Sequence, residues 1–470
     1  MTDPTRTAAV VLAAGTASRF GSPKLLARLG GRPVLQRVLD TLADSHLGEV
    51  IVVLGDAAEA VEQGIAWHGE RRVRNPRPGD GLASSLRLGL SAVSPTMASA
   101  LIVLGDQPLL RPDVVDALLA AGPRQAAIAI VPAYADDGGA NPVLLLRQGF
   151  GLVDRLQGDQ GLGAELARHS GSVLRVSVSG ANPDIDTPGD LARLAEAAWA
   201  DRVRANREQV DRLREVPDGR DFYGPVASIF RADPTRTDDL VLDLLLGEAR
   251  SGETWLDVGA GAGRYALPLA RRVRRVTAVD PSDGMLSALR EIAAEHGIAN
   301  VRTLQERWPM SDPPRADVVL IAHVGYDIEE IGTFVDALEA AARRLCVAVL
   351  MERQPASTID PFWPPIHGEP RVSLPALPEF LELLEARGAR PDVTYTARPP
   401  SRFVDFDELV TFARRQTWVA EGGEKDRRLL ALLRERALET PDGWTLPAPE
   451  MRLGVVQWAP PVHRTAAKRR

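Results

Sequence analysis

Apolar residues in the first half of the chain come in short unbroken runs, and each run is followed by a stretch with apolar residues three or four places apart. Ala8–Ala14 is continuously apolar, as a strand buried on both faces of a parallel sheet reads. Val50–Leu54, Ala100–Leu104 and Ala127–Val131 repeat that pattern. Between them Val34–Leu42, Leu82–Leu90 and Asp113–Ala121 have helical spacing, the first with Pro33 at a helix start. Strand and helix alternating in this way predict an α/β fold with a mostly parallel sheet. Asp190–Trp199 reads as a closing helix. Asp201–Arg220 is rich in Arg, Glu and Asp and ends in the breaker Pro217-Asp218-Gly219, which marks a charged connecting helix and turn. The rhythm resumes at Thr254–Val258 and continues through Arg275–Val279, Val318–Ile321 and Leu345–Leu350. Five prolines in Pro355–Pro370 predict an extended loop there. Helices are expected at Leu374–Arg387 and Phe406–Arg415. The fold class is therefore α/β, with two doubly wound domains: 1–200, a charged linker 201–220, and 221–470 with a C-terminal extension.

Length agrees with this division. At roughly 100–200 residues per domain, 470 residues make two or three. The formal net charge of −7 gives no overall basic field, so no nucleic-acid partner is expected. The basic run His463–Arg470 reads as a solvated tail. A single cysteine, Cys346 in an apolar run, excludes a disulfide framework and any Cys/His metal cluster, and core packing is its expected role. Met1 to Thr7 is polar, without the apolar region of a signal peptide. The apolar runs are shorter than the roughly 20 residues of a membrane helix. No membrane partner is expected, and a cytoplasmic location is.

The first buried strand runs into Leu12-Ala13-Ala14-Gly15-Thr16-Ala17-Ser18-Arg19-Phe20-Gly21-Ser22-Pro23-Lys24. Glycines let backbone N–H groups approach phosphate oxygens, and Arg19 and Lys24 add positive charge. The spacing is not that of a Walker A loop. Alone it means an anion site after a strand, or a plain turn. The wording resembles the signature of the MobA-like nucleotidyltransferases, and within them the molybdenum cofactor cytidylyltransferases, which tend to have LAAG and GSPK. Later segments follow in the family's order: Gly81-Leu82-Ala83-Ser84-Ser85-Leu86, Gly105-Asp106-Gln107-Pro108, Asn141-Pro142-Val143, Gly158-Asp159-Gln160-Gly161 and Asp184-Ile185-Asp186-Thr187-Pro188. The resemblance covers about residues 8–192. It implies a Rossmann-like nucleotidyltransferase sheet. It also implies a nucleotide site of Leu12, Ala13, Ala14, Gly15, Arg19, Lys24, Gly81, Ser84 and Ser85. Lys24, Arg19 and Asp106 would be catalytic. Mg²⁺ prefers hard carboxylate oxygens; Asp106 and Asp186 are the candidate ligands, with Asp184 as the alternative. The family usually has His where Asn141 stands, and only His can carry a proton near pH 7.

The second loop reads Trp255-Leu256-Asp257-Val258-Gly259-Ala260-Gly261-Ala262-Gly263-Arg264. A dinucleotide fingerprint would need a third glycine at position 264, which is Arg. DxGxGxG, and Val279-Asp280-Pro281-Ser282-Asp283-Gly284-Met285-Leu286 after the next strand, resemble class I S-adenosylmethionine-dependent methyltransferases over about residues 222–350. The resemblance implies that Asp257 faces the methionine amine, that Gly259, Gly261 and Gly263 admit the cofactor, and that Asp280 accepts the ribose hydroxyls. Pro281, next to it, would belong to the same cofactor site; Met285, then Glu306 and Trp308, would lie by the adenine. His323, just past the strand Val318–Ile321, would line the transfer site as a base or contact, or be a structural histidine. Phe362, Trp363 and His367 suit a lid, an acceptor pocket or core packing.

Together these resemblances imply a bifunctional enzyme. One half would transfer NMP, from CTP or another NTP, to a molybdopterin-type cofactor or a related phosphorylated small molecule. The other would methylate an acceptor that the sequence does not identify. The cofactors would be Mg²⁺ and S-adenosylmethionine. The alternative, favoured by Asn141 and opposed by Lys24 and Asp106, is a cofactor-carrying scaffold that serves a molybdo-hydroxylase apoenzyme.

Overall fold

The structure, a computed structural model, describes residues 4–15, 23–122, 127–135, 139–217, 230–398, 400–441 and 443–461. Arg19, residues 218–220 of the expected linker and the basic tail from His463 lie outside the described residues. The chain divides into two compact units, Met1–Leu194 and Ala195–Arg470.

The first unit is built on strands β1 (Thr7–Ala13), β2 (Glu49–Leu54), β3 (Arg71–Arg74), β4 (Ser99–Leu104), β5 (Ala129–Tyr134), β6 (Val143–Leu146) and β7 (Val173–Val178). Their order is β3-β2-β1-β4-β6-β5-β7, parallel except for β6, which runs antiparallel to both neighbours. The alternation of β1 shows why the sheet is covered on both faces. Ala9, Val11 and Ala13 enter one apolar cluster with Leu35 and Val38 of the helix Val34–Ala43. Ala8, Val10 and Leu12 enter the other with Leu86 and Leu90 of the helix Leu82–Ser91. Parallel strands packed on both sides need apolar residues at every position, which is what the unbroken run supplies.

The second unit has strands β8 (Thr254–Val258), β9 (Arg275–Val279), β10 (Val301–Leu304), β11 (Ala316–Ala322), β12 (Ala342–Met351), β13 (Asp392–Arg398) and β14 (Met451–Trp458). The order is β10-β9-β8-β11-β12-β14-β13; the first five are parallel, and β14 is antiparallel to both β12 and β13. Cys346 is buried in β12, as expected.

Three expectations need revision. The prolines of Pro355–Pro370 do not make an extended loop. They open short helical turns at Pro355–Thr358 and Asp360–Phe362 and the helix Trp363–His367. Proline is tolerated in a first helical turn, where its missing N–H has no partner anyway. With residues of the helices Phe406–Thr417 and Glu424–Arg436, Ile359, Phe362 and Ile366 form a small separate core. The C-terminal extension is also part of the sheet, since it supplies β13 and β14. Finally, one helix, Pro188–Leu213, runs through the place expected for a break, and the units divide within it at 194/195. Its Trp199 and Val203 are buried in the core of the second unit, so this half of the helix is not a solvated linker.

Candidate active sites

In the first unit the parallel strands β1 and β4 end side by side. The Gly105 N–H just past β4 donates to the Leu12 carbonyl (3.0 Å). Leu12, Ala13 and Ala14 are buried, and Gly15 is exposed. This places the next residue, Asp106, at the carboxyl edge of the sheet, where α/β folds hold ligands. Lys24, on the short turn Lys24–Leu26, meets it there. Its Nζ lies 2.5 Å from Asp106 Oδ2, donates to the Ile185 carbonyl (3.1 Å), and stands 3.6 Å from Asp186 Oδ1. Three segments far apart in sequence thus converge on one ammonium.

The loops that carry the carboxylates are tied to each other. Ile185 N–H donates to the Asp106 carbonyl (3.1 Å). Gln107 and Asn182, both buried, exchange hydrogen bonds, and Gln107 Nε2 also donates to Asp184 Oδ1 (2.6 Å). Burial pushes the Asp184 carboxyl above its usual range, and the nearby charge of Asp106 adds to this. Asp184 therefore braces the loop through Gln107, while Asp186, which is largely exposed, faces Lys24. Asp106, Asp186 and the Ile185 carbonyl are hard oxygen donors of the kind Mg²⁺ takes. With two carboxylates, such an ion would draw the rest of its shell from water and phosphate. Among the described residues there is no cluster of three metal-ligating side chains.

The second part of the site is a strut that the sequence reading missed. Asn75, buried just past β3, donates through Nδ2 to Ser84 Oγ (2.8 Å) and Ser85 Oγ (3.0 Å) and fixes both hydroxyls. Gly81 has φ +89°, and a Cβ there would lie 2.2 Å from the Gly158 carbonyl carbon. Ala83 N–H donates to that same carbonyl (3.0 Å). Gly81-to-Ser85 and the Gly158–Gly161 segment are thus one packed unit, which gives a physical reason for Gly81; at Gly158 the reason is the positive φ of 54°, since a Cβ there would meet nothing. Gly81→Ala is expected to cost about 1–3 kcal/mol of stability through the strained backbone alone. Its denaturant midpoint would fall; an unchanged midpoint would refute this packing. Asn141 is held by its carbonyl, which accepts from the Tyr134 hydroxyl (2.9 Å). A cavity of about 530 Å³ opens beside the Asp106 loop, lined in part by Arg32, Arg37 and Arg111. All three arginines are engaged, with Asp40, the Pro108 and Leu29 carbonyls, and Asp113 respectively.

In the second unit the glycine loop follows β8. Gly259, Gly261 and Gly263 all have positive φ, but they do different things. A Cβ at Gly259 would lie 2.4 Å from Val324, and one at Gly263 would lie 2.9 Å from both Leu267 and Leu289. These two serve close packing. At Gly261 only Met285 Sδ comes near, at 3.9 Å, so this is where a ligand can approach the backbone. Asp280, after β9, accepts from the Gly261 N–H and the Ser282 N–H, each at 2.9 Å. Ser282 caps the helix Asp283–Glu295 through the Met285 N–H. Met285 is buried, and Pro281 is exposed.

Asp257 is fully enclosed, and its Oδ1 has no hydrogen-bond partner among the described residues. Burial first, then the charge of Asp280, pushes its carboxyl up to about 7. A buried carboxylate oxygen without a partner fits a cationic amine, and the residues present suit the methionine end of S-adenosylmethionine. Trp308 is buried in the apolar core, and Glu306 is exposed. His323 takes a positive φ of 59° at the end of β11. Burial, then the charges of Arg398 and Arg264, lower its imidazole to about 4, so it is neutral at pH 7.

Residues 9–173 match the MobA-like NTP transferase domain family, and residues 256–346 match a methyltransferase domain family. The bifunctional protein GlmU of Exiguobacterium sp. is 31% identical over 164 residues, 34% of this chain and 34% of that protein. The 2-C-methyl-D-erythritol 4-phosphate cytidylyltransferase of Streptomyces coelicolor is 38% identical over 137 residues, 28% of this chain and 50% of that protein. The chain thus spans between a third and a half of the length of these curated relatives. Among solved structures, the Rv0371c homologue from Mycobacterium sp. strain JC1 is 35% identical; it covers 40% of this chain and 95% of its own, with a TM-score of 0.37. The first unit has the MobA-like NTP-transferase family fold, and it is fused in one chain to a domain with a class I methyltransferase-like fold.

Proposed function

We propose that the chain is a bifunctional cytoplasmic enzyme. Its first unit transfers NMP, from CTP, to a molybdopterin-type cofactor or a related phosphorylated small molecule, and its second unit transfers a methyl group from S-adenosylmethionine. The observation that carries the first half is the convergence of Asp106, Asp186 and the Ile185 carbonyl on Lys24 Nζ. CTP is favoured by the cytidylyltransferase among the relatives and by the LAAG and GSPK wording. The molybdopterin-type acceptor rests on the ordered segments from Leu12 to Pro188.

Asp106 and Asp186 would hold Mg²⁺, which supplies charge neutralisation at the transferring phosphate. Lys24 exchanges its carboxylate contacts for phosphate oxygens and holds the charge of the departing pyrophosphate. By the same resemblance Arg19 would add positive charge to this. Asn75 keeps Ser84 and Ser85 oriented toward the nucleotide. Positioning and fixed charge do the work, and no covalent nucleophile is needed. In the second unit Asp257 holds the methionine amine and Asp280 holds the ribose. The transfer itself then needs alignment of acceptor and methyl group and exclusion of water more than acid–base help.

Thermal stabilisation of the full chain tests both halves. The ligands are CTP, GTP, ATP and UTP with Mg²⁺, then S-adenosylmethionine and NAD. At 100 times its dissociation constant a ligand stabilises its site by about 2.7 kcal/mol. Shifts with CTP–Mg²⁺ and with S-adenosylmethionine are expected. A shift with GTP alone would make the first unit a guanylyltransferase. No shift with any triphosphate would refute the transferase reading in favour of a carrier.

A further inference from the structure

The carboxyl edge of the second sheet holds a cation that the mechanism above does not use. Strands β8, β11 and β12 end on this edge. Because β14 is antiparallel to both β12 and β13, β13 runs in the same direction as β12, and its last residue, Arg398, arrives on the same edge. Arg398 Nη1 reaches back to within 2.8 Å of Met351 Sδ, at the end of β12. The Met351 N–H donates to the hydroxyl of buried Tyr326 (2.7 Å). Three residues earlier, the His323 N–H donates to the Val349 carbonyl (2.8 Å), and its Nδ1 is shielded with no hydrogen-bond partner among the described residues. Val324, between them, packs on Gly259. A continuous set of contacts therefore joins the glycine loop to the Arg398 guanidinium.

Arg398 is half-buried and has no carboxylate within ion-pair distance among the described residues; a thioether sulfur is a poor substitute. Its neighbours are not unpaired in this way: Arg236 and Arg264 share Asp239. Burial disfavours the charged form of Arg398, the Tyr326 hydroxyl favours it, and the Arg264 cation opposes it. Its guanidinium lies over β12, two strands from β8, or roughly 10 Å away at about 4.8 Å per strand. His323 stands between. That distance suits an acceptor better than the methionine end of the donor beside Asp257.

We propose that Arg398 determines acceptor specificity: the methyl acceptor carries a carboxylate, which the Arg398 guanidinium holds at the end of β12, beside Tyr326 and His323. A guanidinium fork matches a carboxylate in two parallel hydrogen bonds and draws charge from its oxygens. The carboxylate is thus a handle, and the nucleophilic atom lies elsewhere on the acceptor. The inference rests on the methyltransferase reading of the second unit.

The test uses the full chain. Calorimetry with S-adenosylhomocysteine should give the same dissociation constant for wild type and Arg398→Gln within about threefold. With that ligand saturating, saturation-transfer NMR should show benzoate and hexanoate binding at least tenfold more tightly than benzamide and hexanamide. Arg398→Gln should lose the preference and Arg398→Lys should keep part of it, with unchanged melting temperatures as the check on folding. No preference for carboxylates in wild type, or a preference for inorganic phosphate, overturns the assignment. So does a tenfold loss of S-adenosylhomocysteine affinity in Arg398→Gln, which would place the donor's own carboxylate on this arginine. If wild type binds no S-adenosylhomocysteine, the methyltransferase reading itself fails.

Discussion

Asp106→Ala is expected to slow NMP transfer by at least about 10²–10³-fold, the range for removing one preorganised electrostatic group from an active site. Two changes contribute. The proposed metal site loses one of its two candidate carboxylates, and Lys24 loses the contact that sets its position, 2.5 Å from Oδ2. The fold should survive, because the Asp106 carbonyl still accepts from the Ile185 N–H and the Gln107–Asn182 pair is untouched. A second effect separates this account from a merely structural role. The Asp106 charge is the second cause, after burial, of the raised Asp184 carboxyl. Removing it should bring Asp184 back toward its ordinary range, which a carboxyl-resolved NMR titration would read. Pyrophosphate release from CTP and Mg²⁺ in the presence of a molybdopterin-type acceptor measures the main effect. A rate within threefold of wild type would mean that the metal and the transferring phosphate lie elsewhere.

What the sequence showed and what it hid divide along one physical line. A buried parallel strand is apolar at nearly every position, so β1, β2 and β4 are legible as unbroken runs, and β8 and β9 as shorter runs beside a glycine loop and an acidic turn. The loops after them were legible because their glycines and charges are local in sequence. The contacts that bring those loops together are not local. Lys24 meets Asp106 across 82 positions, and Gln107 meets Asn182 across 75. Asn75 lies in Asn75-Pro76, which reads as an ordinary turn, and only the fold brings its amide to Ser84 and Ser85. In Pro355–Pro370 the prolines look like breakers in sequence, but in the fold they sit in the first turns of short helices. β13 was missed because it is an exposed edge strand without an apolar run, so Arg398 gave no local sign of its place. β14, with Leu453-Gly454-Val455-Val456, does carry a short apolar run, interrupted by a glycine.

Asp280→Ala is expected to weaken S-adenosylhomocysteine binding by at least 30-fold, about 2 kcal/mol. A carboxylate offers about four acceptor sites. It accepts from the Gly261 and Ser282 N–H groups in the folded chain, and the ribose hydroxyls would be held by this same carboxylate. Alanine removes the ribose acceptors and also leaves two loop N–H groups without this partner, at about 1–3 kcal/mol for each that stays dry. Asp280→Asn should do little better, because its NH₂ would face an N–H donor. The substitution also acts on Asp257. In the folded chain the Asp257 carboxyl holds its proton up to about 7, whereas unfolded it releases it near the usual 3.8. The folded state therefore binds more protons between these values, and its stability falls as pH rises through that window and levels off above it. Part of the rise comes from the Asp280 charge. In Asp280→Ala the upper end of the window should move down, and the decline in denaturant midpoint from pH 5 to pH 7 should be shallower than in wild type. Calorimetry with S-adenosylhomocysteine and midpoints at four pH values read the two effects separately. Normal affinity in Asp280→Ala would remove the ribose assignment, and an unchanged pH profile would remove the coupling between the two carboxylates.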